Sequence, residues 1–224
     1  MAPTKATPET SRRLGDRRSF RGWPPGVGDF FDELELDNTK AYWVAHKEFY
    51  VADVLGPMEA LLAALAPEFG GGRVFRPYRD TRFSSDKSPY KTTIAAHNDA
   101  GYISLSSDAL GVGSGLYMPS PAQLARFRAA VADERTGRQL VGLVKELERR
   151  RIQVSAHETL KTAPRGYAGD HPRIELLRQK GLTAWKEWPV GPWLGTAAPK
   201  RRITDVLRAT APLRAWLDRN VGAG

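Results

Sequence analysis

The chain has 224 residues, 41% hydrophobic and 26% charged, the composition of a single ordinary globular domain rather than a disordered or fibrous chain. It has no cysteine, which excludes thiol catalysis, disulfide frameworks and cysteine-ligated zinc. The net charge of +9 points toward an anionic partner, and no apolar run approaches the ~18 residues of a membrane span.

Much of that charge sits at the two ends. Residues 1–22 carry six basic and two acidic side chains, and residues 198–224 carry the same numbers. Ser11-Arg12-Arg13-Leu14 is followed by Asp16, two more arginines and Pro24-Pro25 instead of the apolar stretch a signal peptide needs. Residues 1–22 therefore read as a disordered basic tail, and the cytoplasm is the default location.

The ordered domain is expected from about Trp23 to the C-terminus. Phe30, Phe31 and Leu34 mark a short amphipathic helix. Asp37 or Asn38 is placed to cap a longer one, whose apolar positions run Trp43, Tyr50, Val54, Met58, Leu61 and Leu65. Pro57 should kink or split it, and Gly70-Gly71-Gly72 ends it. Short strand-compatible runs follow at Val74–Tyr78, Thr92–Ala96, Tyr102–Leu105 and Gly111–Tyr117. Asp99-Ala100-Gly101 reads as a hairpin turn with a positive φ at the glycine. Two helices come next, one through Leu124, Phe127 and Val131 and one through Leu140, Leu143, Val144 and Leu147. Residues 152–171 read as loop, Arg173–Lys180 as a short helix and Leu182–Val190 as a strand. A terminal helix through Ile203, Val206, Leu207, Leu213, Trp216 and Leu217 should break at Pro212. The fold class is α+β: a single domain with a largely antiparallel sheet flanked by helices from both ends of the chain.

Residues 73–97 carry the most chemical information. Six are basic, namely Arg73, Arg76, Arg79, Arg82, Lys87 and Lys91, against only Asp80 and Asp86. The stretch Arg79–Thr92 is rich in turn formers and lies between strands, where free amides are common. Arginine forks suit phosphate or carboxylate, lysine adds a mobile charge, and Thr81, Ser84, Ser88 and Tyr90 offer hydroxyls. Together these make an anion site, with Arg79, Arg82, Lys87 and Lys91 holding the anion. Asp80 would orient an arginine and Tyr90 would donate a hydrogen bond. The competing reading is that Asp80 and Asp86 brace the connection by pairing with nearby cations, although two carboxylates neutralise only two of six.

The run RDTRFSSDKSPYKT strongly resembles the signature of the family called domain of unknown function 2461. The resemblance extends to Asp37-Asn38-Thr39-Lys40-Ala41-Tyr42-Trp43, Gly113–Pro119, Leu160–Tyr167 and Asp170-His171-Pro172, and covers about residues 28–217. Val44 and Ser85 depart from the family pattern and are not read as ligand contacts. The resemblance implies a soluble cytoplasmic α+β domain with no established activity. It adds Trp43, Lys161, Arg165 and His171 as secondary pocket candidates. If the loop carrying Lys161 and Arg165 folds against Arg79–Lys91, one deep basic pocket results. Trp43, on the apolar face of its helix, reads more simply as core.

No metal is implied, because His46, His97, His157 and His171 are scattered without a second ligand type at a metal-site spacing. No cofactor is implied either. Gly111-Val112-Gly113-Ser114-Gly115 fails the templates of a phosphate loop, a dinucleotide fingerprint and a nucleophile elbow, and reads as a glycine-rich strand permitting close approach. Asp80, Asp86, Tyr90 and His171 are available for acid–base work, yet no pair is fixed in space by sequence, so whether the protein is an enzyme stays open. The leading expectation is a pocket for a phosphorylated or otherwise anionic small molecule. The alternative is a nucleic-acid-associated module whose basic ends contact phosphates. Nothing in the sequence sets the oligomeric state.

Overall fold

The computed structural model describes residues 19–82 and 86–222. Residues 1–18 of the basic tail, and Ser84 and Ser85 of the basic loop, lie outside the described residues. Six strands form one sheet: β1 (Gly72–Val74), β2 (Ile94–Asn98), β3 (Gly101–Leu105), β4 (Ala109–Leu116), β5 (Gln153–Ser155) and β6 (Leu182–Pro189). They are ordered β1-β2-β3-β4-β6-β5, and every neighbouring pair is antiparallel. The α+β architecture follows from the sequence pattern as expected. Only β5 arises in a segment that reads as loop, because three residues give too short a pattern to register.

Side chains alternate across the sheet. Ile94, Ala96, Ile103, Leu105, Leu110, Val112, Leu182 and Ala184 share one face and are essentially inaccessible. Two helices cover that face, α3 (Gly56–Phe69) and the long α7 (Ala198–Asn220). Leu61, Leu65, Ile203 and Leu207 supply their buried sides. Helices α4 (Pro121–Ala132) and α5 (Glu134–Arg149) pack on α7, and a short α6 (Ile174–Leu177) packs on α4. At the N-terminal end Trp23 is buried, and its indole donates to the Val54 carbonyl at 3.2 Å.

Four local expectations are corrected. Helix α1 spans Val27–Leu36, and α2 (Lys40–Phe49) is capped by Thr39, whose hydroxyl accepts from the Tyr42 amide at 3.2 Å. Asn38 is engaged elsewhere. A π-helical segment over Tyr50–Leu55 joins α2 to α3, so the helix changes pitch just before Pro57 and continues through it instead of splitting there. Pro212 lies inside an unbroken α7. Near it the Leu207 carbonyl, five residues earlier, accepts from Thr210 Oγ1 at 3.2 Å and Arg214 Nη1 at 2.9 Å. Gly101 takes no positive φ. The turn is closed instead by Asn98 Oδ1, which accepts from the amides of Ala100 and Gly101 at 3.0 and 2.9 Å.

The continuous helical stretch Lys40–Phe69 is long and apolar enough to cross a membrane by length and composition alone. In this fold its Trp43, Val54, Met58, Leu61 and Leu65 are buried in the core.

Candidate functional site

The basic loop extends the β1–β2 hairpin. Tyr78 and Tyr90 form an antiparallel bridge, with Arg79 N donating to Pro89 O at 2.9 Å and Lys91 N to Pro77 O at 2.8 Å. Arg79 is bonded to Asp86. Arg82 grips Asp80 through Nε at 2.9 Å and Nη2 at 2.6 Å. These bonds hold the Asp80 carboxyl below its ordinary value. Lys87 donates to the Thr81 carbonyl at 2.8 Å, and Lys91 lies 5.8 Å from the centre of the Phe75 ring. Tyr90 is buried, burial raises its phenol pKa, and its ring stacks on Trp43 at 4.4 Å. Both loop carboxylates thus brace the connection, and the two arginine forks expected to hold an anion each have a carboxylate partner within the loop.

The second group of candidates lies elsewhere. Trp43 is core, packed among Phe30, Tyr50 and Tyr90. Lys161 and Arg165 are exposed, and His171 Nδ1 accepts from the Arg173 amide at 3.0 Å. Their loop connects β5 to α6 and is pinned to α4 by Arg173, which donates to the carbonyls of Val131 at 2.7 Å and Ala132 at 2.9 Å. It therefore hangs from the β6–β5 edge, whereas the Arg79–Lys91 loop hangs from the β1–β2 edge. Five inter-strand spacings, ~24 Å, separate the outermost strands. Among the described residues the two loops hang from opposite edges of the sheet, and neither of its two grooves brings Lys161 or Arg165 together with Arg79, Arg82, Lys87 or Lys91.

What the sheet does bring together is a row of side chains on its open face. Cross-strand partners share a face, and the register runs Arg73, His97, Tyr102, Gly113, Trp185, Gln153 through all six strands. Arg73 Nε donates to His97 Nε2 at 2.9 Å. Phe75 lies 5.4 Å from His97 and 5.9 Å from Tyr102, and Tyr102 lies 6.2 Å from Trp185. The Trp185 indole lies across Gly111 and Gly113, where a Cβ at either position would collide with it. The glycine-rich strand therefore admits close approach, and what approaches is a tryptophan ring. Glu187 accepts from the indole N–H at 3.0 Å and fixes the ring's direction.

A groove of ≈ 1070 Å³ opens along this row. Its floor includes His97, Tyr102, Gly113, Trp185 and Gln153, with Ser155, His157 and Tyr117 beyond. Partial burial pushes the Tyr102 phenol up. At one end β4 outruns β3: the last β3 partner is Tyr102 at Gly113, so Ser114–Leu116 pair with β6 alone. That notch in the sheet is closed by the last turns of α7 through Arg214, Leu217, Asp218 and Val221.

None of the groove residues was singled out as a binding residue by sequence. The available signal was alternation: Tyr102 is out of phase with the apolar Ile103 and Leu105, and glycines 111, 113 and 115 fall on one face. That pattern marks a surface cleared for a large ring.

The family model matches residues 27–216. The chain belongs to the DUF2461 family. That family is described only as conserved hypothetical protein, and no curated protein and no solved structure matches the chain. Two segments that carried the DUF2461 resemblance, 37–43 and 79–92, meet in the fold at the Trp43–Tyr90 stack and at hydrogen bonds between Asn38 and Tyr90. Much of what makes this DUF2461 signature distinctive is therefore the bracing of the loop. Several C-terminal cations are also engaged within the fold. Arg202 lies 3.9 Å from the Trp193 ring centre, Arg208 donates to Glu68 at 2.8 Å, and Arg214 bonds Leu207 and Thr210.

Proposed function

We propose that the protein binds a small anionic molecule carrying a flat ring, phosphorylated or carboxylate-bearing, in the groove on the open face of the sheet. The observation that carries this reading is the Trp185 indole laid over Gly113 beside Tyr102, a preformed aromatic floor in a cleft large enough for a metabolite. His97, bonded to Arg73 at one end of the row, and His157 and Arg214 farther along the groove supply hydrogen-bond donors and positive charge toward an anion. The reading moves the ligand from the basic loop to the sheet, because Arg79 and Arg82 are already matched by Asp86 and Asp80.

A thermal-shift panel at constant ionic strength tests it. The panel compares phosphate, pyrophosphate, nucleotides, sugar phosphates, aromatic carboxylates and a short oligonucleotide on wild type and Trp185→Ala. A ligand at a hundred times its Kd adds about 2.7 kcal/mol, roughly 5–10 °C for a domain of this size. A shift of that order with a ring-bearing anion, lost in Trp185→Ala, supports the reading. An equal shift in both proteins, or a flat panel, overturns it. A response to the oligonucleotide alone would favour the nucleic-acid alternative.

A further inference from the structure

At the notch end of the groove one buried donor has nothing to bond. Asn98 is only 6% exposed and lines the groove, yet its Nδ2 has no hydrogen-bond partner among the described residues. The orientation of its amide is fixed, because Oδ1 already accepts from the amides of Ala100 and Gly101. The nitrogen must therefore present its N–H groups on the other side. Buried polar groups are nearly always satisfied, and an exception at a cavity wall points to a missing acceptor.

Two other donors border the same space. Ser114 is 8% exposed, lies on the β4 segment that has outrun β3, and its hydroxyl makes no hydrogen bond among the described residues. Arg214 reaches in from α7; its Nη1 is committed to Leu207 and Thr210, which leaves Nε and Nη2 without partners among the described residues. Anchoring one nitrogen of the guanidinium holds the fork in place before any ligand arrives. A neutral amide, a hydroxyl and a held guanidinium are the donor set of an oxyanion site. Asp99 and Asp218 also line the groove, Asp218 close enough to act on Arg214, and this negative charge disfavours a dianion. The occupant of best charge is singly negative.

We infer that Asn98, Ser114 and Arg214 form a carboxylate subsite at the closed end of the groove, so that the ligand is an aromatic or ring-bearing carboxylic acid. This rests on the groove reading above and names the ligand class within it. The ring lies on Trp185 and Tyr102, and the carboxylate reaches through the notch toward α7. Each carboxylate oxygen can accept two hydrogen bonds, so Asn98, Ser114 and Arg214 can all be satisfied at once.

The test follows the Asn98 side-chain amide by nitrogen–proton NMR during titrations with acetate, inorganic phosphate and indole-3-acetate, with sodium chloride holding ionic strength constant. The amide signal is expected to move saturably with acetate and at lower concentration with indole-3-acetate, and less with phosphate. Ser114→Ala should weaken acetate roughly tenfold, the loss of about one hydrogen bond to a charged group. Asn98→Asp keeps the acceptor that closes the turn but sets a negative charge in the site, and should abolish acetate binding while remaining folded. An amide signal that follows chloride alone, or an Asn98→Asp protein that binds indole-3-acetate as wild type does, overturns the subsite. Tighter binding of phosphate than acetate overturns the choice of carboxylate. Trp185→Ala separates the two readings. If acetate still moves the Asn98 signal in that variant but indole-3-acetate gains nothing over acetate in wild type, the aromatic floor fails and the subsite stands. If indole-3-acetate quenches tryptophan emission without touching Asn98, the floor stands and the subsite fails.

Discussion

Asn38 clasps the backbone of Tyr90 from both sides: its Nδ2 donates to the Tyr90 carbonyl at 3.1 Å, and its Oδ1 accepts from the Tyr90 amide at 2.9 Å. A primary amide presents a donor and an acceptor side by side, which is the pairing an extended backbone residue offers at its edge. The clasp ties the segment before α2 to the basic loop 52 residues later. Beside it the Trp43 and Tyr90 rings stack at 9° to one another. Asn38→Ala removes both hydrogen bonds and leaves two partly buried backbone groups unpaired. The expected loss is about 2–3 kcal/mol, read as a lower urea midpoint with an unchanged slope. Val44, exposed on α2, serves as the control, and Val44→Lys should leave the midpoint in place.

The floor of the groove makes a sharper prediction. Gly111 and Gly113 are glycine because the Trp185 ring occupies the space a Cβ would take. At Gly111 the nearest contacts of an added Cβ are all the ring, so Gly111→Ala should cost roughly 1–3 kcal/mol, the range for overpacking, and should shift tryptophan emission to the red as the indole is pushed out. In Trp185→Ala that obstacle is gone, so Gly111→Ala on that background should cost much less. A double-mutant cycle measured by urea denaturation reads the difference as a coupling energy. Additive effects would show that the ring does not set the glycine requirement.

The sheet and most helices were legible because their residues alternate or repeat in register with a buried face. Ile103 and Leu105, or Leu61 and Leu65, announce their own burial. The interruptions were less legible. Pro57 and Pro212 look alike in sequence, but a π-helical segment precedes the first and α7 runs unbroken through the second. The candidate site was harder for the same reason. Charge is conspicuous in a sequence, so Arg79 and Arg82 drew attention, whereas their pairing with Asp86 and Asp80 depends on loop geometry. Arg73, His97, Tyr102, Trp185 and Gln153 are scattered along the chain and become neighbours only through strand register. That register was not readable for β5, which contributes the last of them.

Arg173 shows how a long loop can be held by one side chain. Its guanidinium is 8% exposed and bonds the carbonyls of Val131 and Ala132 at the end of α4, while Nη1 donates to Glu134 at 3.0 Å. These carbonyls close a helix and would otherwise lack partners. Arg173→Met keeps much of the packing and removes all of the donors. The expected cost is about 2–4 kcal/mol, from unpaired carbonyls in a partly buried place. Arg173→Lys should recover only part of it, since an ammonium cannot span the same acceptors as a planar fork. Limited proteolysis should cut the segment 156–172 faster in both variants, and a cutting pattern like that of wild type would count against the pinning role.

Acid sensitivity should be traceable to the start of α5. Asp133 caps that helix, with Oδ1 accepting from the Thr136 amide at 2.9 Å and its hydroxyl at 2.8 Å. These bonds favour the charged form and hold the carboxyl below the ordinary aspartate value. A folded-state value below the unfolded one means that the unfolded chain binds the proton more readily. The contribution is therefore complete above about pH 5 and is lost as the pH falls through the unfolded and then the folded value. Asparagine can accept the same bonds without titrating and is itself a good cap. Asp133→Asn should thus match wild type closely at pH 7 but lose less Tm between pH 5 and pH 3. The carboxylates of Glu68, Asp80, Glu134, Glu146 and Glu158, each lowered by a basic partner, contribute to the slope that remains. Tm profiles of the two proteins that run parallel down to pH 3 would show that the cap does not carry the acid response.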